Sequence, residues 1–143
     1  MTDQFRFDAT GLNGGWVKTP NLDRIASEGI NFTNCFTNSP VCVPAWISMA
    51  TGLYPHNTNV WTNIRYVLPD SSMTWTEAIQ REGYRMSVFG KPHLHTHTID
   101  DLRKREHVLR SCGFEVIDEI AGPRASAFVM SHMTELWRES FRK

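Results

Sequence analysis

The sequence has no long apolar run, few cysteines and no excess of charge of either sign. No stretch approaches the ~20 apolar residues of a membrane-spanning helix, and the polar N-terminus contains no secretory signal. As written, the chain is expected in the cytoplasm, whereas a longer parent protein could be periplasmic or secreted. Cys35, Cys42 and Cys112 are too few and too scattered for a disulfide framework. Because 15 basic residues balance 15 acidic ones, neither a nucleic acid nor a membrane is expected as a partner.

The remaining composition is that of an ordinary globular domain. Of 143 residues, 41% are hydrophobic and 21% charged, which predicts one domain over residues 1–143. Periodicity, caps and breakers predict alternating elements. They are helices at 19–29, 44–51, 74–82, 101–111 and 125–142, and strands at 30–36, 84–89 and 114–117. This order indicates an α/β fold, a layered sheet with flanking helices.

Residues 39–56 are expected to carry the chemistry. Pro40 and Pro44 restrict the backbone on either side of Cys42, and Pro44 suits the first position of a helix that Gly52 ends. Cys42 is therefore predicted to lie just before a helix N-terminus. Free N–H groups and the helix dipole there favour a thiolate and a bound anion.

A second motif, Gly90-Lys91-Pro92-His93-Leu94, follows the predicted strand at 84–89. Open α/β sheets bind their ligands at the carboxyl ends of their strands. Lys91 would supply a positive charge there, and His93 can donate a proton near neutral pH.

Two further groups of residues admit a functional and a plain structural interpretation. His93, His95 and His97 alternate, and on one strand face they could bind zinc. No acidic or thiol partner is expected nearby, so a polar, partly exposed loop is favoured. Arg124 could meet an anion near the start of the last predicted helix, but a surface turn residue is the favoured interpretation.

The first motif resembles the nucleophile signature of the sulfatase family, arylsulfatase-type members of the alkaline-phosphatase-like superfamily. That signature is Cys-x-Pro-Ser-Arg followed by Thr-Gly. Cys42, Pro44, Thr51 and Gly52 match it. The resemblance implies an alkaline-phosphatase-like α/β fold, incomplete here. It also implies hydrolysis of sulfuric esters by a formylglycine made from Cys42.

The resemblance also assigns further site residues. Lys91 and His93 match the Gly-Lys-x-His segment, whose side chains contact the sulfate and help the leaving oxygen depart. Family members bind a divalent cation, usually calcium, through two adjacent acidic residues. Asp3 matches the first, and Gln4 replaces the second with a neutral amide oxygen. A Ca²⁺ or Mg²⁺ ion held by Asp3, Gln4 and the modified Cys42 is therefore implied.

Two positions depart from the signature. Ala45 stands where Ser is usual, and Trp46 stands where Arg is nearly always found. That Arg is recognised by the formylglycine-generating machinery, and Trp supplies neither its charge nor its fork of donors. Family members are several times longer, and their remaining metal ligands come from later in the chain. The sequence is thus expected to represent the N-terminal part of a sulfatase-like catalytic domain.

Three hypotheses about function follow. The first is a sulfatase-type hydrolase that acts on a small-molecule or glycan sulfate ester. The second is a phosphate or phosphonate ester hydrolase of the same superfamily, because the same site geometry suits either anion. The third is a non-catalytic remnant or binding module. A sheet cut at both ends would also expose apolar surface and strand edges, so self-association of the fragment is expected.

Overall fold

The computed structural model describes residues 2, 5–64, 66, 68, 73–97, 101–122 and 125–142. Asp3, Gln4 and Arg124 lie outside these residues. The chain divides into two compact units, residues 1–36 and 37–143. The single domain that the composition indicates stays a prediction.

The first unit contains one helix and two short turns. Helix α1 spans Pro20–Glu28 and follows 3-10 turns at Phe7–Ala9 and Gly11–Asn13. The Asp23 carboxylate accepts hydrogen bonds from the Leu12 N–H (3.0 Å) and the Thr19 hydroxyl (2.8 Å). This carboxylate therefore ties α1 to the glycine-rich loop before it, and the helix predicted at 19–29 is confirmed within one residue at each end.

The strand predicted at 30–36 is wrong. These residues form no regular element, and the side chains of Ile30, Phe32 and Phe36 are 70% or more exposed. Alternating β-branched and aromatic residues favour a strand only where a neighbouring strand can pair with it. Among the residues described in this unit, no partner strand is present.

The second unit contains a small parallel sheet with helices around it. Its strands are β1, Met86–Gly90, and β2, Phe114–Glu119. Its helices are α2, Cys42–Thr51; α3, Pro55–Thr58; α4, Trp75–Arg81; α5, Glu106–Ser111, preceded by a 3-10 turn at Leu102–Arg105; and α6, His132–Ser140, preceded by a 3-10 turn at Ala125–Ala127. Among the described residues, none of the helices combines the length and the apolar character that crossing a bilayer requires.

The two strands pair in parallel, and this pairing decides which loops meet. Ser87 is opposite Val116, and Gly90 is opposite Glu119. The carboxyl ends of parallel strands lie at the same edge of a sheet. The segment after Gly90 and the end of β2 are therefore neighbours, although 29 positions separate Gly90 from Glu119 in the sequence.

The core of the second unit lies between α2, α5 and the sheet. Val43, Ile47 and Ala50 are buried along one face of α2, at helical spacing. They share one hydrophobic cluster with Leu94 and Leu109, among others.

The N-terminus of α4 is bonded to the turn that starts β2. The Thr74 hydroxyl accepts the Glu77 N–H (3.2 Å), as the predicted capping box requires. The hydroxyls of Thr74 and Thr76 also donate to the Cys112 carbonyl, at 3.0 and 2.6 Å. Gly113 has φ +90°, and a Cβ on it would lie 2.6 Å from the Glu77 Cα. Only glycine fits this close approach without displacing backbone.

The long helix predicted over 125–142 is wrong. The chain forms a 3-10 turn and then the shorter α6, because the Ser131 hydroxyl accepts the Thr134 N–H (3.1 Å) and starts a new helix. Val129 is buried with Leu102 and Ala121 in a second, smaller cluster. The remaining residues of the expected apolar stripe, Met133, Leu136 and Trp137, are exposed.

Candidate functional site

Cys42 is the first residue of α2 rather than the residue before it, so Pro44 occupies the third helical position. The side chain of Cys42 is half-buried. The Val43 N–H donates to the Asn63 side-chain oxygen (2.9 Å), and the Ala45 N–H donates to the Val41 carbonyl (3.2 Å). Pro44 has no N–H, and the N–H groups of Val43 and Ala45 already have acceptors. These three residues therefore offer no backbone donor to an anion in this conformation. The expected anion site at this helix start is therefore poorer than the sequence indicates.

Trp46 lies one helical turn after Cys42 and is half-buried. Side chains four positions apart share one face of a helix, so the indole replaces the family's arginine on the Cys42 face. An indole offers one N–H donor and no charge.

Lys91 and His93 follow β1 directly, as predicted. A Cβ on Gly122 would lie 2.9 Å from the Lys91 Cδ, so the lysine side chain passes over this glycine. Gly122 was assigned no role from the sequence, and its missing Cβ makes room for Lys91. A glycine before Pro123 was the only signal for this in the sequence.

The two motifs are anchored on one core. Val43 follows Cys42, Leu94 follows His93, and both apolar side chains belong to the same hydrophobic cluster. The start of α2 and the loop after β1 therefore depend on the same packing.

The alternating histidines form a compact turn rather than a strand face, and they do have an acidic neighbour. Glu119, the last residue of β2, lies between two of them. Its carboxylate oxygens are 2.7 Å from Nε2 of His95 and 2.8 Å from Nε2 of His97. The His93 and His97 rings meet edge to face, with 4.6 Å between their centroids. The prediction that this segment lacks an acidic partner is wrong, because β2 supplies one from 22 positions away.

This cluster is buried and charged. The side chains of His95, His97 and Glu119 are 4%, 8% and 3% exposed. Burial alone would raise the pKa of Glu119, but the hydrogen bonds from His95 and His97 hold that pKa below its ordinary value. Burial and the nearby Glu119 charge together raise the pKa of Tyr66, whose hydroxyl donates to the His95 carbonyl.

The predicted metal ligands are only partly within the described structure. Asp3 and Gln4 lie outside the described residues, so Cys42 is the one assigned ligand whose surroundings are known. Among the described residues, His95, His97 and Glu119 form a group that could hold a metal ion, with donor atoms all within 4.8 Å of one another.

Comparison with known proteins agrees with the motifs. The sequence matches the family model named Sulfatase over residues 1–132. It is 43% identical over 98 residues to an ulvan-active sulfatase from Formosa agariphila, a match that covers 68% of this chain and 19% of that protein.

Solved structures share the fold. A protein solved with its substrate D-glucosamine-2-N,6-O-disulfate has a TM-score of 0.65 and 27% identity, covering 83% of this chain and 22% of that chain. The phosphonate monoester hydrolase of Agrobacterium radiobacter has the same TM-score and identity, covering 98% of this chain and 27% of that chain. The fold is thus α/β and alkaline-phosphatase-like, present in part.

The chain spans about a fifth to a quarter of the length of these relatives. Within that span it contains the family's Cys-x-Pro and Gly-Lys-x-His segments in the family's order. A family match over residues 1–132 covers nearly all of it. This chain therefore belongs to the sulfatase family.

Proposed function

We propose that this chain is the N-terminal part of a sulfatase-type hydrolase that cleaves a sulfate ester, with Cys42, Lys91 and His93 as its catalytic residues. The single observation that supports this most is the position of Lys91 and His93. Both follow β1 at the sheet edge where α/β folds bind ligands, and Gly122 leaves room for the lysine side chain.

In this proposal each residue has one chemical role. The Lys91 ammonium neutralises charge on the sulfate oxygens, and His93 donates a proton to the ester oxygen as it leaves. Cys42 would supply the nucleophile once converted to formylglycine, a conversion that Trp46 is expected to impede. A hydroxyl of the hydrated aldehyde would bond to sulfur as the ester S–O bond breaks. Loss of sulfate would restore the aldehyde and water would hydrate it again, so the products are an alcohol and sulfate.

A divalent ion belongs to the same proposal. Family members generally use a metal ion, and the carboxylate of Asp3 and the amide oxygen of Gln4 are ligands that suit Ca²⁺ or Mg²⁺. With Cys42 they provide only part of a shell of roughly six to eight oxygens. We therefore assign the two residues to the ion on chemistry alone.

The named relatives support a substrate class. One solved relative is described with a disulfated glucosamine as its substrate, and an N-acetylglucosamine-6-O-sulfatase from Bacteroides thetaiotaomicron is 35% identical over 95 residues. We propose a sulfated sugar or another small sulfate ester for this chain. The likeness to a phosphonate monoester hydrolase supports a second candidate, a phosphonate or phosphate ester.

The test compares three substrates on one protein. The hydrolysis of 4-nitrophenyl sulfate, 4-nitrophenyl phosphate and a phenylphosphonate monoester is measured with the longer protein of which this chain is proposed to be the N-terminal part, carrying Trp46→Arg and expressed with formylglycine-generating enzyme. Sulfate hydrolysis should exceed the other two. It should fall by roughly 10²-fold or more in Lys91→Met and His93→Asn, but not in Lys18→Met, which removes an exposed lysine outside the motif.

Three other outcomes would contradict parts of the proposal. Faster turnover of the phosphonate ester would favour the second candidate. Equal rates in Lys91→Met and Lys18→Met would remove Lys91 from the site. An aldehyde at position 42 without any hydrolysis would favour the non-catalytic remnant.

A further inference from the structure

We propose that His95, His97 and Glu119 form a second metal site, selective for zinc or a similar transition ion. It shares no residue with the divalent-ion site assigned to Asp3, Gln4 and Cys42. The tertiary structure creates it, because the parallel pairing of β1 and β2 brings Glu119 to the edge where the loop after Gly90 begins.

The geometry is close to that of a three-ligand zinc site. Zinc sites place imidazole nitrogens and carboxylate oxygens roughly 2.0–2.2 Å from the ion, which puts neighbouring donor atoms about 3.3–3.5 Å apart. The observed nitrogen-to-oxygen separations are 2.7 and 2.8 Å, and all donor atoms lie within 4.8 Å of one another. Side-chain rotation that opens the two histidine–carboxylate pairs by roughly half an ångström, and draws together the donor atoms that lie up to 4.8 Å apart, would admit an ion.

The hydrogen-bonding requirements of His95 also call for a cation. Its Nδ1 lies 3.3 Å from the Thr96 carbonyl oxygen, and its Nε2 lies 2.7 Å from a Glu119 oxygen. A carbonyl and an ionised carboxylate only accept, whereas a neutral imidazole has a single N–H. Both ring nitrogens therefore face acceptor oxygens, and a metal ion between Nε2 and the carboxylate would satisfy both contacts. Metal-bound histidines typically donate their other N–H to a backbone carbonyl, as Nδ1 is placed to do here.

The donor set selects the ion. Two imidazoles and one carboxylate suit zinc, whereas calcium and magnesium prefer oxygen alone.

All three side chains of the proposed site are more than nine-tenths buried. Nδ1 of His97 is buried without a hydrogen-bond partner, so within the described structure this ring meets a polar group only through Nε2.

The surrounding residues hold the loop in place for such a site. The Tyr66 hydroxyl donates to the His95 carbonyl, and the Thr96 hydroxyl donates to the Tyr66 carbonyl (2.8 Å). The Arg105 guanidinium donates to the Thr96 carbonyl (3.2 Å). An ion bound here would fasten the segment that carries Lys91 and His93 to the end of β2.

The test is a titration of the metal-free chain with Co²⁺, followed by visible absorption, and then displacement by Zn²⁺. We expect one equivalent to bind with tetrahedral absorption bands. The zinc affinity should fall by at least roughly 100-fold in His95→Gln and in Glu119→Gln. The matched control is His132→Gln, which removes a histidine from an exposed pair with Glu106 (3.2 Å) and should leave binding unchanged.

Two results would overturn the proposal. One is the absence of stoichiometric binding to the unaltered chain, and the other is an equal affinity in all three variants. If the variants fail to fold, X-ray absorption of the zinc-loaded unaltered chain decides. Nitrogen and oxygen neighbours at about 2.0–2.2 Å support the site, whereas a sulfur neighbour near 2.3 Å assigns the ion to cysteine and refutes it.

Discussion

Under the proposed function, Trp46 bears on whether Cys42 can become a formylglycine, because it stands where the family signature has the arginine that the modifying machinery recognises. The modifying enzyme is expected to recognise the segment around Cys42 while it is extended. The absence of the arginine should therefore affect conversion more than the folded surroundings of Cys42 do. We predict that Cys42 remains a thiol when the chain is made in cells that contain the modifying enzyme. Trp46→Arg should permit some conversion. Mass spectrometry of the peptide over residues 38–54 measures both.

An aldehyde at position 42 in the unaltered chain would show that Trp46 is tolerated. No aldehyde even in the Trp46→Arg chain would mean that this cysteine is not a substrate at all.

Replacement of Gly113 should be damaging for two reasons. Its backbone has φ +90°, and an added Cβ would meet the backbone of Glu77 and Thr76 at 2.6–2.9 Å. Gly113→Ala should lower the free energy of unfolding through two effects. Left-handed backbone strain should cost about 1–2 kcal/mol, and overpacking against α4 should cost about 1–3 kcal/mol more.

The matched control is Gly83→Ala. Its φ is +87° and no atom lies within 4 Å of the added Cβ, so only the backbone strain applies. Denaturant titration of both variants provides the comparison. Equal losses would show that α4 moves away from the turn at no cost.

Cys112 should be the thiol most resistant to modification, since it is buried and burial raises its pKa. The folded state therefore favours the neutral thiol of Cys112 over its thiolate. Its contribution to stability is therefore complete below the pKa of the unfolded chain, about 8.5. That contribution declines as the pH rises from there towards the folded value, because the unfolded state releases the proton first.

Alkylation with iodoacetamide tests this at pH 8. Exposed Cys35 should react at the rate of a free thiol, and Cys112 only after denaturant is added. Comparable rates at both positions in the native chain would contradict the burial of Cys112.

Among the elements, the stability of α4 is expected to depend on the hydrogen bonds at its N-terminus. The Thr74 hydroxyl both caps the helix and bonds the Cys112 carbonyl. Thr74→Val keeps the shape but removes these bonds, and should cost about 1–2 kcal/mol of unfolding free energy. Thr74→Ser, which keeps the hydroxyl, should cost clearly less in the same thermal or denaturant measurement. If both variants lose the same amount, packing of the methyl group rather than the cap is responsible.

The elements also show where local sequence signals succeed. The helices predicted at 19–29, 44–51 and 74–82 are found because their boundary signals act over a few residues. Pro20 begins α1, Thr74 caps α4, and Gly52 follows α2. The strand at 30–36 and the long last helix failed. The first needed a pairing partner elsewhere in the chain, and the second was interrupted by Ser131, a serine whose capping role depends on the turn before it.

For the whole molecule, the exposed apolar surface of the second unit indicates self-association. Phe89 of β1 is 70% exposed, and Tyr84 and Val116 are also exposed. Among the described residues, the sheet has only two strands, whose outer edges are therefore open to pairing. We predict concentration-dependent oligomers in size-exclusion chromatography with light scattering. Phe89→Lys should shift the distribution towards the monomer, and Lys18→Met should not. A monodisperse monomer of the unaltered chain would contradict this.

The sequence by itself determined the family motifs, their order and most helix boundaries, because these depend on residue type and short-range spacing. Cys42, Lys91 and His93 were all identified as candidates without a structure. The resemblance alone assigned the metal role of Asp3 and Gln4, which stays a prediction.

Only the tertiary structure decided which distant groups meet. Glu119 lies just beyond the strand predicted at 114–117 and was assigned no role. It joins His95 and His97 because parallel strands end at one edge. Gly122 gained its role because the Lys91 side chain crosses it. Such contacts depend on strand register and on the path of one side chain over another. Neither is encoded by local spacing, because both are set only when the sheet and the core assemble.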